Sequence, residues 1–163
     1  MSRLRGSGIL FYGSLGLAVL LGLMPMPELL APFKPYWLGL VLIYWLLEAP
    51  ERAGLGMAFG IGLVADLVFG TLFGEQALRL VMLAFIVQRF RPRLRFFPLW
   101  QQASAVFALL LNDRVIAAAV RLFSGETLPP LAFWLSPLTA LLLWPWLFLL
   151  LDELRLRGRA RES

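Results

Sequence analysis

The stretch GIGLVADLVFGTLFGEQALRLVMLAFIVQRFRPRLR, residues 60–95, decides how the rest of the chain is read. Two apolar segments flank a glycine-bounded turn at 70–74, and Arg89, Arg91, Arg93 and Arg95 close the second segment. Ala58, Gly62, Asp66 and Gly70 recur every fourth residue, which sets them on one stripe of a helix. Small residues on such a stripe let a second backbone approach closely, the way helices pack in lipid. Gly56 and Gly60 form a second small pair with the same spacing, a weak signal because glycine is common in membrane helices. The glycines do not make a nucleotide fingerprint, because they interrupt apolar helices and do not follow a soluble strand.

Working outward, the whole chain has this character. Its 163 residues are 60% hydrophobic and 15% charged. A soluble domain carries about 45–50% apolar and about 25% charged residues. So much apolar surface requires lipid as part of the solvent. Six apolar segments are predicted as helices, at about 7–24, 33–47, 53–69, 75–90, 99–123 and 131–151. No hydrophilic linker divides them, so 1–163 reads as a single transmembrane domain. The second segment is the short one, since a spanning helix needs about 17 residues or more. The first has a basic start like a signal peptide, but Met24-Pro25-Met26-Pro27 follows it and not a small-residue cleavage site, so an uncleaved helix is expected.

Charge sets the expected orientation. Arg3 and Arg5 precede the first segment, Arg89–Arg95 follow the fourth, and Arg155, Arg157, Arg159 and Arg161 follow the sixth. If all three clusters are cytoplasmic, an even number of crossings separates each pair. Six crossings with both termini inside satisfy this condition. The outer connections, holding Glu28 and Lys34, then 70–74 with no charge, then Glu126, fit that orientation. Trp37, Trp100 and Trp134 stand where headgroup-level anchors are expected. The net charge of +5 is read as topology, compatible with anionic lipid, and no nucleic-acid partner is expected.

The charges inside the apolar segments are the sharper feature. A carboxylate in a membrane helix costs roughly 2.5–3.5 kcal/mol unless paired or protonated, so Asp66 must face protein or water. Asp66 and Arg79 lie about equally far from the turn between the third and fourth helices, so they share a depth in the outer half. Glu75 stands one helical turn before Arg79. Asn112, Asp113 and Arg114 interrupt the fifth helix at a similar depth. Asp66, Asp113, Arg79 and Arg114 are expected to form one neutral network, joining helices three to five or offering a polar seam to a partner.

Several functions are excluded or disfavoured. Cysteine and histidine are absent, which removes Ser-His and Cys-His catalysis and Cys/His zinc sites, leaving only a carboxylate metal site open. Glu48 and Glu51 are paired acids without a nucleophile and read as a solvated loop. Neither an enzyme nor a cofactor is expected.

Five strings resemble the MreD family of rod shape-determining membrane proteins. They are MPMPELLAPFKPYW (24–37), LVLIYWLLEAPER (40–52), GIGLVADLVFGTLFGEQAL (60–78), FFPLWQQ (96–102) and LLLWPWLFLLL (141–151). Asp66 with Gly70, Gly74, Ala77 and Leu78 is the most specific part, followed by Phe97–Gln102, while Trp144-Pro145-Trp146 resembles the proteobacterial type. Glu51, Phe73, Arg79 and the Asn112–Arg114 stretch depart from the family's pattern.

The resemblance implies a non-enzymatic scaffold in the bacterial inner membrane. It would act with the bitopic protein MreC in the complex that links MreB filaments to the polymerase RodA and a class B penicillin-binding transpeptidase. It also implies an all-α membrane fold similar to the six-helix substrate-binding subunits (S-components) of vitamin transporters, which is fold-level analogy. The expected contact or core-organising site is Asp66, Gly62, Gly70, Gly74, Arg79, Asp113 and Arg114. A second candidate surface is Arg89, Arg91, Arg93, Arg95, Trp100, Gln101 and Gln102. The alternative function is a small-molecule-binding membrane subunit of a vitamin-type transporter, and an intramembrane enzyme is a distant third.

Overall fold

The apolar run Trp37–Glu48 forms the helix around which the others assemble. In the computed structural model the described residues are 2–24, 27, 29, 33–48, 53–70, 74–125, 127 and 134–162, with side chains described between 9 and 157. They form α1 (Ser2–Leu23), α2 (Trp37–Glu48), α3 (Leu55–Phe69), α4 (Glu75–Leu94), α5 (Leu99–Phe123) and α6 (Ser136–Glu162). Each predicted segment corresponds to one helix. The expectations placed on Glu28, Glu51, Arg52 and Glu126, and on the side chains of Arg3, Arg5, Arg159 and Arg161, lie outside the described residues.

Every residue of α2 from 38 to 47 is buried. α1, α4, α5 and α6 all pack on it, while α3 lies along α4 and touches α1. The 12 residues of α2 span roughly 18 Å at 1.5 Å per residue. That is well short of a hydrocarbon core of about 30 Å. Its shortness is tolerable because the neighbouring helices, and not lipid, surround it. Among the described residues, α5 and the Ser136–Arg157 part of α6 are long and apolar enough to cross a membrane. The apolar parts of α1 and α3 are shorter, at Ile9–Leu23 and Leu55–Phe69.

The core explains the sequence pattern. Ala58, Gly62, Ala65 and Asp66 of α3 are buried against α4, so the stripe seen in the sequence is a packing face. A Cβ added at Gly62 would stand 2.3 Å from the Ala77 Cα, so only glycine permits this approach. Gly56 and Gly60 instead face outward, with open space around them. Phe11, Tyr44, Trp45, Trp144 and Phe148 form an aromatic cluster joining α1, α2 and α6. The Trp45 indole donates to the Ser14 hydroxyl at 2.8 Å, which satisfies its one polar atom inside the core. The exterior is also apolar: Leu67 is 73% exposed, and Leu17, Val64, Phe85 and Leu142 point outward with it.

Several predicted boundaries change: α1 begins at Ser2 and not at 7, α2 at Trp37 and not at 33, and α3 at Leu55 and not at 53. α4 does not end at 90 but runs to Leu94 through Pro92, so Arg91 and Arg93 stand on its last turn and not in a loop. Pro92 there forfeits only one backbone bond, and cations at a helix C-terminus oppose its partial negative charge. α6 likewise continues past 151 to Glu162, as a polar extension carrying its own acids and arginines.

The bundle has two distinct ends. Leu23, Phe69, Gly70, Glu75 and Ser124 meet at one, the turn end. Glu48, Arg91 and Arg155 mark the other, the arginine end.

Candidate functional site

At the turn end, a carboxylate from one helix caps the next. Asp66, 2% exposed, accepts the backbone amide of Gly74 at 2.8 Å and that of Gln76 at 2.7 Å. The first amides of a helix have no partner within it, and the partial positive charge there favours an anion. The residue before α4 is Gly74, which has no side chain to cap it, so Asp66 supplies the acceptors from eight positions before Gly74. Gly70 ends α3 at φ 68° and Gly74 precedes α4 at φ 99°, both left-handed values that glycine adopts without strain. Asp66, Gly70 and Gly74, with Ala77 against Gly62, thus form one structural unit: the facing ends of α3 and α4 held by a non-local cap. Leu78 is 47% exposed and takes no part in it.

The four-residue charge network divides differently from the expectation. Arg79 does not pair with Asp66; its fork meets Asp113 of α5, Nε to Oδ1 at 3.0 Å and Nη2 to Oδ2 at 2.7 Å. Both oxygens of Asp66 already accept backbone amides, whereas Asp113 offers two that match the guanidinium edge. Glu75, one turn earlier, does not take the fork either. The Arg79 guanidinium also lies over the Tyr36 ring, 4.4 Å from its centre, and the Tyr36 hydroxyl donates to the Gln76 side-chain carbonyl. Arg114 stands close enough to Arg79 and Asp113 to feel both charges. The turn end therefore brings Asp66, Arg79, Asp113 and Arg114 together, as their common depth predicted, with Tyr36 and Gln76 as connecting groups.

Above this floor opens a cleft of about 1060 Å³. Its walls include Lys34, Tyr36, Trp37, Phe69, Arg114 and Arg121. Lys34 donates to the Gly22 carbonyl and, at 3.0 Å, to the Met24 carbonyl, which caps the C-terminus of α1. The Ser136 hydroxyl holds the Lys34 carbonyl at 2.8 Å, so one residue ties α1, the entry to α2 and the start of α6. Among the described residues the lining is mainly cationic and aromatic, with Glu75 as its acid, which suits binding. Among the described residues no three carboxylates converge into a metal-ligand group.

The second candidate surface splits. Arg89, Arg93, Arg95, Trp100 and Gln101 face outward. Gln102 does not: it is buried, donating to the Leu94 carbonyl at 3.1 Å and accepting the Trp144 indole N–H at 3.0 Å. It is a core latch joining the α4–α5 corner to α6. Arg91 is half-buried and donates to the Leu47 carbonyl at 2.9 Å, capping α2. Glu48, expected in a solvated loop, ends α2 and meets Arg155 at 3.3 Å. Arg155 also reaches Asp152 at 2.9 Å, and Asp152 accepts the Tyr44 hydroxyl at 3.2 Å.

Sequence reasoning missed Tyr36, Gln76, Lys34 and the Tyr44–Asp152–Arg155–Glu48 group. Tyr44 interrupts an apolar run and Asp152 directly follows one, which marks both positions as needing partners. Nothing in the local pattern singles out Gln76.

Comparison with known proteins supports the family resemblance. The family model described as rod shape-determining protein MreD matches residues 4–154. A curated rod shape-determining protein MreD of Haemophilus influenzae is 37% identical over 144 residues, covering 85% of this chain and 86% of that protein. No solved structure gives a significant match.

Proposed function

The chain belongs to the MreD family of rod shape-determining proteins, and from that premise we propose that it is a non-enzymatic membrane scaffold of the cell-elongation complex. In this reading it sits in the bacterial inner membrane with six crossings and both termini in the cytoplasm. Its direct partner is an MreC-like bitopic protein. Through that partner it links MreB filaments to RodA and a class B transpeptidase, and so to side-wall peptidoglycan synthesis. The six-helix S-component architecture of vitamin transporters is the fold analogy that goes with this reading.

The observation that carries the proposal is the turn-end cleft. Its floor is held by the Asp66 cap and the Arg79–Asp113 fork, and its walls carry half-buried aromatic and cationic side chains. A preorganised floor lowers the ordering cost of receiving a partner segment. In this reading the arginine end is cytoplasmic and the cleft opens on the outer face, where a bitopic partner's chain leaves the bilayer.

A photo-crosslinking residue at Val120 or Ser124, both lining the cleft, tests the reading in cells. Crosslinks to the MreC-like protein from these positions, and none from outward-facing Leu142, are expected. Crosslinks from Leu142 alone would overturn cleft docking. Copurification without any elongation component would overturn the scaffold itself.

The cleft volume also suits a small ligand, since such pockets run about 300–1,000 Å³. A saturable ligand together with copurifying transporter ATPase subunits would favour that second reading.

A further inference from the structure

Two arginine clusters stand at the arginine end, and they differ in how their charge is spent. On α6, Arg155 meets Glu48 and Asp152, and Arg157 meets Glu153 at 2.7 Å. Those two arginines are paired within the fold. The α4–α5 corner carries no acid of its own, since no aspartate or glutamate occurs between Glu75 and Asp113 in the sequence. Arg91 serves the α2 carboxyl end, and Arg89, Arg93 and Arg95 face outward. Among the described residues the ion pairs at this end belong to Arg155 and Arg157.

The surroundings of these three arginines indicate what they meet. Leu78, Met82 and Phe85 form an outward apolar stripe along α4, and at the same helical spacing the stripe passes into Arg89 and Arg93. An apolar stripe ending in cations matches acyl chains ending in headgroups. Phe96 and Trp100 flank the arginines at 83% and 71% exposure. Exposed aromatic rings beside cations are what an interfacial lipid layer covers, and a guanidinium fork matches a phosphate diester.

We propose that Arg89, Arg93 and Arg95 with Phe96 and Trp100 form a binding surface for anionic phospholipid headgroups, and that the paired Arg155 and Arg157 do not. The surface is continuous with the outward apolar stripe of α4, which favours lipid over an acidic protein segment. It acts independently of the turn-end cleft.

The test is fluorescence quenching of the full-length protein in bilayers, using lipids brominated high in the acyl chain. Brominated phosphatidylglycerol in plain phosphatidylcholine is compared with the reverse mixture. The Trp100 contribution is obtained by difference from Trp100→Phe. A preference for phosphatidylglycerol near Trp100 on the order of 5-fold is expected, the scale of one surface arginine. Arg93→Gln with Arg95→Gln should bring it close to one, with helicity by circular dichroism unchanged. Arg157→Gln should keep it. Equal quenching by the two lipids in the wild-type protein would overturn the proposal and leave an acidic protein segment as the partner of these arginines. Loss of the preference in Arg157→Gln alone would overturn the assignment to this corner.

Discussion

Arg79 of α4 and Asp113 of α5, 34 positions apart, face each other through two hydrogen bonds of 3.0 and 2.7 Å. Both are almost fully buried, at 7% and 2% exposure. The pair fixes the rotation of both helices at once, because a planar fork accepts its carboxylate in one orientation. It also places the guanidinium over Tyr36, which links this contact to the entry of α2.

Removing one partner leaves the other charge buried. Arg79→Ala should lower stability by about 3–5 kcal/mol, and Asp113→Ala by a similar amount. The double variant Arg79→Met, Asp113→Leu should recover most of that loss, because apolar groups of similar volume need no partner there. Unfolding in mixed micelles reads all three. A double variant as unstable as the singles would show that the pair does more than neutralise itself.

Two glycines of the same helix should behave oppositely. Gly62→Ala drives a methyl to within 2.3 Å of the Ala77 Cα, where backbone must move, and overpacking of this kind costs about 1–3 kcal/mol. Gly60→Ala meets nothing within 4 Å, and should be neutral or stabilising by about 0.5–1 kcal/mol. Thermal unfolding of the two purified variants side by side is the check, and equal effects would contradict the packing.

The cap on α4 depends on a full carboxylate. Asp66→Asn retains one acceptor oxygen and replaces the other with a donor facing a backbone N–H. Loss of about 1–2 kcal/mol is expected, the range of a helix cap. Hydrogen exchange should quicken first at the Gly74 and Gln76 amides. Unchanged exchange there would show that the turn holds the helix start without Asp66.

The α4–α5 corner rests on a buried amide. Trp144→Phe keeps the aromatic packing but leaves the Gln102 carbonyl without its indole donor, which should cost about 1–3 kcal/mol. Trp146→Phe, at a position 75% exposed, should cost little. Chemical unfolding of both variants separates the two members of the Trp-Pro-Trp motif.

Much of the fold was legible because its signals are local. An apolar run bounded by glycine, proline or charge must be helical in a low-dielectric setting, where backbone groups can only satisfy one another. That is why six helices were readable, with α5 at its predicted bounds. Depth was readable too, since counting residues from the α3–α4 turn set Asp66 and Arg79 at one level. Helix ends were less so. α4 absorbed Pro92 in its last turn, where the missing amide costs one bond, and α6 continued because its arginines found acids three and four residues away.

By itself, then, the sequence determined helix number, apolar exterior, family and the gathering of Arg79, Asp113 and Arg114 at one end of the bundle. Only the tertiary structure decided the partners. Asp66 was free to take a cation or an amide, and the open amides of α4 lie close enough to occupy both its oxygens. Arg79 then turned to Asp113, and Gln102, on the rim by sequence, turned inward to Trp144. These choices depend on how each helix rotates about its axis. Rotation is set by close contacts such as Gly62 on Ala77, which no one-dimensional pattern records.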